Sequence, residues 1–347
     1  MAEQDTGRQR FINSPLKTKK RVYREVENPL WWAYTKILRE HDKTKKTYAV
    51  NPYAEVYQFR TNLFGIYTES LDGMGDPWMF LIEGPEKAFL IDTGFGIGNL
   101  PGLLKEIIGG KPVIVANTHA HFDHAYGNFW FDKVYCHEYE APLLTSKMDP
   151  HIWDYLFDET GRGRWCDFDK ADLVPFRKYE ICGVPDGYKF NLGGDYEIEL
   201  IFLPGHSPGH AAFLDRQNRI FFAGDDACVG TTGIMGIFGA PEDTPYREHV
   251  TVESLRNELA RVIKRSNEFD GVFPSHGIVD TGVIVLSNLL ETCDKVLENP
   301  KNYDIRNEND IGLTGSKSVF YGKMVSMSGY LIYSANSVYM GRKIAIE

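Results

Sequence analysis

Short apolar runs separated by Gly, Pro and Asp set the pattern of the chain from about residue 55 onward. Runs of this kind predict strands at 56–59, 64–68, 78–83, 88–91 and 113–116, and again at 196–203, 211–214 and 219–223. Apolar residues at helical spacing predict helices over 100–108, 251–264 and 283–297. Strands and helices therefore share the central part of the chain.

Three segments depart from this rhythm and suggest a domain division. Residues 1–54 mix basic side chains with the aromatic segment Trp31-Trp32-Ala33-Tyr34, which predicts an N-terminal arm with a helix over 29–39. Residues 138–190 are rich in aromatic and charged residues. We interpret them as a helical insertion in a central domain of residues 55–280, either a solvated excursion or a lid over a site. Residues 281–347 are predicted to add a helix and strands packed on that domain.

Composition narrows the choice of partners. The formal net charge of −10 argues against a nucleic-acid partner, which would need clustered Lys and Arg. No apolar run is long enough to span a membrane, and the polar, basic first twenty residues lead us to expect no signal peptide. The five cysteines are scattered and odd in number, so we expect reduced thiols in a cytoplasmic protein. A small-molecule substrate is the expected partner, and a homo-oligomer is left open.

The six residues 119–124 contain a close cluster of side chains that can bind metal ions. They read His119-Ala120-His121-Phe122-Asp123-His124 and follow the predicted buried strand 113–116. Four of the six side chains are metal donors, and burying four ionisable groups without an ion would be costly. The run therefore predicts a metal site at the end of a strand.

The same order of an apolar strand, a small residue and a polar residue occurs at four more places. The polar residues at these four places are Asp92, His206, Asp225 and His276. Sites on sheet scaffolds are built from the loops at one edge of the sheet, so we expect these side chains to meet the cluster at 119–124. Asp92 is predicted to fix the ligand loop, although an ordinary turn aspartate explains its position nearly as well.

The donors are numerous enough for two ions. One ion can be held by His119, His121 and His206. A second ion can be held by Asp123, His124 and His276, and Asp225 can bridge the two ions. Nitrogen-rich donors suit two Zn²⁺ ions, although imidazole with carboxylate also accepts Fe or Mn. A structural zinc would be closed by four ligands, often cysteines, whereas an open site makes hydroxide from water.

The motif set resembles that of the metallo-β-lactamase-fold hydrolases. It consists of His-x-His-x-Asp-His at 119–124, Pro-Gly-His-Ser-Pro-Gly-His at 204–210, Gly224-Asp225 and His276, over roughly residues 55–280. The form of residues 204–210 is similar to the glyoxalase II-like and lactonase-like branch. The resemblance implies an α/β fold, a four-layer αββα sandwich of two mixed β-sheets flanked by helices, with the metals at one edge.

On this basis we expect a dinuclear zinc-dependent hydrolase whose metal-bridging hydroxide attacks the carbonyl of a small to medium organic ester, lactone, thioester or amide. Asp123 is the expected catalytic residue, because it lies beside the nucleophile and can orient it and later pass a proton to the leaving group. Three departures from the family narrow the substrate. Asp226-Ala227-Cys228 stands where lactonases place a tyrosine, no basic cluster for glutathione follows His276, and the long arm disfavours a β-lactam.

Two other functions are alternatives to this hydrolase. A mononuclear iron persulfide dioxygenase resembles the same motif set and would use His119, His206 and Asp225; the complete second set of donors favours hydrolysis. A phosphodiesterase is disfavoured by the acidic balance. His210 is expected to support or pack against the site. The remaining histidines are expected to be ordinary: His41, His137, His151 and His249.

Overall fold

A computed structural model of the chain describes residues 16–20, 29–73, 75–234, 244–311 and 316–346. The helices in these segments are α1 (Pro29–His41), α2 (Leu100–Ile108), α3 (Phe122–Ala125), α4 (Ala141–Ser146), α5 (Val252–Ile263) and α6 (Ile284–Glu298). The strands are β1 (Lys19–Lys20), β2 (Lys46–Tyr48), β3 (Asn51–Arg60), β4 (Leu63–Thr68), β5 (Trp78–Glu83), β6 (Ala88–Ile91), β7 (Val113–Ala116), β8 (Lys133–His137), β9 (Cys166–Asp167), β10 (Glu180–Val184), β11 (Lys189–Asn191), β12 (Glu197–Phe202), β13 (Ala211–Asp215), β14 (Ile220–Gly224), β15 (Gly230–Ile234), β16 (Gly271–Pro274), β17 (Thr281–Gly282), β18 (Ile305–Ile311), β19 (Ser316–Val325) and β20 (Gly329–Tyr333). Strands β5, β6 and β7 and helix α2 have the predicted bounds.

Two sheets lie face to face. The first has eight strands in the order β10-β8-β7-β6-β5-β4-β3-β2, and the second has six in the order β11-β12-β13-β14-β16-β17. Both mix parallel and antiparallel pairs: β6, β7, β8 and β10 run parallel in the first sheet, as do β14 and β16 in the second. Strands β6 and β14 are buried along their whole length, which explains why their sequences are continuous apolar runs.

The core between the sheets receives apolar side chains from both, among them Trp78 and Phe80 from the first sheet and Phe213 and Phe222 from the second. Helix α2 packs on the outer face of the first sheet, and α5 and α6 pack on the outer face of the second. The predicted α/β four-layer sandwich of two mixed sheets flanked by helices is therefore confirmed. Thr251 caps the N-terminus of α5, because its side chain accepts a hydrogen bond from the amide of Ser254.

Two predicted boundaries do not coincide with the fold. Strands β2 and β3 join the first sheet, so the body of the domain begins before residue 55. Strand β10 pairs with β8, so the end of the predicted insertion 138–190 belongs to the sheet. The helical character predicted for this insertion is wrong: α4 is its only α-helix among the described residues, and turns and irregular chain make up most of the rest. Pro150, Gly161, Gly163 and Pro175 interrupt any helical pattern there.

The described part of the arm is fixed to the first sheet by a buried ion pair. Helix α1 forms where it was predicted, whereas the side chains of Trp31 and Trp32 lie outside the described residues. Arg39 is only 1% exposed. Its Nε donates to Glu55 Oε2 at 2.8 Å, and its Nη1 donates to Glu69 Oε1 at 3.1 Å. Removing either partner would leave a buried charge uncompensated, so this contact holds α1 against the sheet.

The C-terminal segment adds helix α6 and most of a third sheet, whose four strands have the order β15-β20-β19-β18. Strand β15 comes from the central region, so the tail is joined to it by main-chain pairing. Tyr321, Leu331 and Tyr333 of the tail share one core with α5 and α6. No disulfide bond joins any two of the five cysteines, all of which lie among the described residues. None of the described helices combines the length and apolar character needed to cross a bilayer.

Candidate metal centre

Seven side chains with nitrogen or carboxylate donors converge at one edge of the two facing sheets. His119 and His121 follow β7, Asp123 and His124 lie in α3, His206 follows β12, Asp225 follows β14, and His276 follows β16. Apolar strands bring the chain to this edge, and the donor residues follow within a few residues of the strand ends or lie in the short helix α3. The structure therefore brings together all seven of the residues that the sequence singled out as metal donors.

The first donor group consists of His119, His121 and His206. His121 Nδ1 lies 2.9 Å from His119 Nε2 and 2.9 Å from His206 Nε2. His119 is completely buried and His206 is 7% exposed. The three ring nitrogens lie within 4.8 Å of one another, so all three can contact one ion.

The second donor group consists of Asp123, His124 and His276. His276 Nε2 lies 3.1 Å from Asp123 Oδ2 and 3.2 Å from His124 Nε2. The distance between His124 Nε2 and Asp123 Oδ2 is 3.4 Å. The carboxylate distinguishes this group from the first one, in which every donor is an imidazole.

Asp225 stands between the two groups. Its Oδ2 lies 3.4 Å from His206 Nε2 in the first group and 3.4 Å from His276 Nε2 in the second. Its Oδ1 is 3.6 Å from His124 Nε2, is buried, and has no hydrogen-bond partner among the described residues. A buried carboxylate oxygen without a donor is costly, and a cation at this place would remove the cost.

Hydrogen bonds at the far ring nitrogens fix which nitrogen of two imidazoles faces the centre. His206 Nδ1 lies 2.8 Å from the carbonyl oxygen of Gly233, and His276 Nδ1 lies 3.1 Å from that of Asp76. A carbonyl only accepts, so each Nδ1 carries a proton and each Nε2 faces the centre, where it can bind an ion once it is itself deprotonated.

Asp92 fixes the rings of His124 and His119 in the same way. Its Oδ2 lies 2.9 Å from His124 Nδ1 and accepts the hydroxyl of Thr118 at 2.8 Å, while its Oδ1 accepts the amide of Thr118. The Thr118 hydroxyl is then free to accept from His119 Nδ1, 3.0 Å away. Asp92 therefore has the predicted role of fixing the ligand loop. The donor set as a whole fits divalent metal ions.

The two groups differ in electrostatics. Burial holds the pKa of His119 and His121 well below the usual histidine range, and the neighbouring imidazoles lower the pKa of each further. Burial also acts on His276, but the carboxylates of Asp225 and Asp123 outweigh it and raise the pKa of His276 to about 10. The pKa of Asp123 is below its usual range, since His124 and His276 outweigh the effect of burial. The first group is therefore neutral, and the second balances opposite charges.

The other histidines lie outside the two groups. His210 supports the site, as expected, because its Nε2 accepts the amide of Asp225 at 3.0 Å. His137, His151 and His249 have other neighbours. Thr118 and the carbonyl groups of Gly233 and Asp76 were not predicted from the sequence. Thr118 could have been found, because it directly precedes His119, whereas any residue can supply a carbonyl.

Comparison with protein families gives one match that covers this site: the family model described as the metallo-beta-lactamase superfamily matches residues 72–276. Among curated proteins, acyl-coenzyme A thioesterase MBLAC2 of Homo sapiens is 32% identical over 168 residues, which are 42% of this chain and 57% of that protein. N-acyl homoserine lactonase of Bacillus cereus is 26% identical over 168 residues, 40% of this chain and 57% of that protein. The chain thus spans little more than half the length of these relatives.

Solved structures give matches of lower identity. The metallo-beta-lactamase from Pontibacter korlensis has 20% identity and a TM-score of 0.48, over 70% of this chain and 99% of that one. DIM-1 metallo-beta-lactamase has 17% identity and a TM-score of 0.49, over 71% and 99%.

Proposed function

The chain belongs to the metallo-β-lactamase superfamily, and from that premise we propose that it is a hydrolase with two Zn²⁺ ions, one in each donor group. The observation that carries the proposal is the position of Asp225, whose Oδ2 lies 3.4 Å from a nitrogen of either group. A carboxylate so placed can contact two ions at once, which is the arrangement of two-metal hydrolytic sites. The imidazole-rich donor set favours zinc, with Fe or Mn as the other candidates.

Metal ions in such a site acidify a water to supply a nucleophile near neutral pH and polarise the carbonyl that is attacked. Asp123 is our candidate for moving the proton. Its Oδ2 lies 3.1 Å from His276 Nε2, and its lowered pKa keeps it a carboxylate that accepts hydrogen bonds. In this role Asp123 orients the nucleophile, takes its proton and returns that proton to the leaving group.

Three half-buried aromatic side chains support an acyl substrate. The ring of Phe122 lies 6.2 Å from that of His121, the ring of Tyr155 lies 5.9 Å from Phe122, and Trp165 lies 6.1 Å from Tyr155. These rings follow one another away from the first donor group, and each is partly buried against the neighbouring core. Tyr155 and Trp165 belong to the insertion, which we therefore propose as a wall of the substrate site rather than a solvated excursion.

The printed names of the relatives help to choose among acyl substrates. One relative is named an acyl-coenzyme A thioesterase and the other an N-acyl homoserine lactonase, so both names specify an acyl group. Asp226-Ala227-Cys228 stands in place of the tyrosine expected in lactonases, which favours a thioester over a lactone. We propose an acyl thioester as the first substrate, with esters, lactones and amides after it.

A persulfide dioxygenase with a single iron is the second candidate. Its three donors would be His119, His206 and Asp225, and Asp225 Oδ2 lies 4.0 and 3.4 Å from the Nε2 atoms of the two histidines. The complete second donor group favours hydrolysis, because a single iron leaves Asp123, His124 and His276 without a role.

Metal analysis combined with a substrate panel tests the proposal. The purified chain is analysed for zinc, iron and manganese, and is then assayed with an acyl-coenzyme A, an acyl homoserine lactone, an aryl ester and an aryl phosphodiester. We expect two zinc ions per chain and fastest turnover of the thioester. One iron per chain with oxygen consumption on a persulfide would replace this proposal by the second candidate, and hydrolysis of the phosphodiester alone would also overturn it.

A further inference from the structure

Glu140 lies just after β8 and is completely buried, yet neither donor group contains it. Its Oε1 accepts the amide of Ala120 at 2.8 Å. Its Oε2 accepts the hydroxyl of Ser207 at 2.9 Å and the amide of Gly209 at 2.8 Å. Ala120 is the residue between His119 and His121, and Ser207 follows His206. One carboxylate therefore contacts both of the loops that carry the first donor group.

The local helix does not use this carboxylate. Glu140 is the residue that precedes α4, but its side chain makes no capping hydrogen bond to that helix. Burial raises the pKa of Glu140, and the bonds from Ser207, Ala120 and Gly209 oppose that effect. All of the hydrogen bonds that offset the cost of burying this group thus come from the two histidine loops.

The close approach of one loop to Glu140 gives independent support. A Cβ atom added at Gly209 would lie 2.1 Å from the backbone nitrogen of Glu140 and 2.6 Å from the carbonyl carbon of Tyr139. Any side chain there would push the loop 204–210 away from the carboxylate. The glycine and the glutamate therefore act together to hold that loop in place.

We propose that Glu140 is a positioning residue that sets the spacing between the His119–His121 loop and the His206 loop, and with it the metal affinity of the first donor group. The inference rests on the proposed function, since it assigns Glu140 to the metal site. An amide cannot replace the carboxylate, because Gln would direct an N–H₂ group at one of the two loops and lose at least one accepting oxygen.

Glu140→Gln tests the proposal in the full-length chain, with the exposed Glu138→Gln as a control for the same charge change. Zinc affinity is measured by chelator competition in two backgrounds, His276→Ala to report the first donor group and His206→Ala to report the second. We expect a loss of about 10–100-fold for the first group and less than about threefold for the second, the range typical of residues that orient metal ligands. Equal losses in both backgrounds, or none, would overturn the proposal.

Hydrogen exchange of the metal-free chain separates this inference from the proposed function. Glu140→Gln should speed exchange in both loops, residues 118–121 and 205–210, and leave the sheets unchanged. Faster exchange throughout the chain would mean a general loss of stability and would refute a positioning role. If the glutamine variant does not fold, Ser207→Ala removes only one of the bonds, and a loss of about threefold in first-group affinity is then expected. Failure of the unaltered chain to bind metal counts against the proposed function alone, since the exchange result does not depend on metal.

Discussion

The two donor groups are adjacent but differ in the charges of their side chains. The first group has three imidazoles, and burial lowers the pKa of each of them. In the second, Asp123 faces His124 and His276, and the pKa of both histidines is raised. The first group therefore offers neutral lone pairs to a cation, whereas the second already pairs negative with positive charge. A metal can enter the first group without displacing protons, but it must displace them from the second.

The largest effect is expected from His121→Ala. This change removes the nitrogen that lies 2.9 Å from both other members of the first group. We expect loss of that metal and a fall of more than about a thousandfold in kcat/KM, beyond the 10–100-fold typical of residues one contact further out. Zinc content and thioester turnover are measured, with the exposed His151→Ala as the control. A variant that keeps a tenth of the activity would contradict the assignment, and loss of both metals would show that the groups are not independent.

Asp92→Asn should have the next largest effect, and it should act mainly on the second group. Asp92 contacts His124 directly but reaches His119 only through Thr118. The loss of one acceptor oxygen should lower zinc affinity of the second group about 10–100-fold, and that of the first group less. Asn tolerates the φ of 62° at this position, so the backbone is preserved.

A matched control exists at Asp280, which has a φ of 58° but pairs with Arg60 on the surface. Asp280→Asn should leave both affinities unchanged. If Asp92→Asn weakens the first group more than the second, the direct contact with His124 is not the one that matters.

Changing pH should separate the groups further. With the pKa of His276 raised to about 10, this side chain carries a proton at neutral pH that a metal must displace. Zinc affinity of the second group should therefore rise about tenfold per displaced proton between pH 7 and pH 8. The first group, with its pKa values lowered, is deprotonated throughout and should change by less than about twofold. Chelator competition in the single-group backgrounds measures both slopes, and equal slopes would refute the electrostatic contrast.

The donor side chains could be predicted from the sequence better than the groups that hold them in place, and the reason is physical. Apolar strands such as β6 and β14 are buried on both faces, and their continuous runs mark where a strand stops and a polar side chain emerges. Asp92 and Asp225 could be placed in this way. The carbonyl groups of Asp76 and Gly233 could not, since only the tertiary fold aims a carbonyl at an imidazole. The prediction that the insertion is helical was also wrong, because a high aromatic content does not by itself indicate a helix.

The arm illustrates the same limit, since its basic and aromatic composition gave no hint of a buried role for Arg39. The guanidinium of Arg39 lies 5.0 Å from the centre of the Tyr67 ring, and the hydroxyl of Tyr67 donates to the Asp76 side chain. The carbonyl of Asp76 in turn accepts from His276 Nδ1. A chain of contacts thus leads from α1, outside the family match, to the second donor group, whereas the first group has no such link among the contacts described.

Tyr67→Phe tests this link and should have the smallest effect. The ring remains under Arg39, but one of the hydrogen bonds that hold Asp76 is lost, while the amide of Ser70 still donates to its carboxylate. Since Tyr67 acts on His276 only through Asp76, we expect zinc affinity of the second group to fall about two- to fivefold, less than for a direct partner. The first group should not change. Chelator competition in the His206→Ala and His276→Ala backgrounds measures both affinities, and Tyr196→Phe is the matched control, because its buried hydroxyl bonds Asp215 instead. An equal loss of zinc affinity in both backgrounds would mean that Tyr67 supports the sheet in general. The two donor groups would then differ only in the residues that contact them directly.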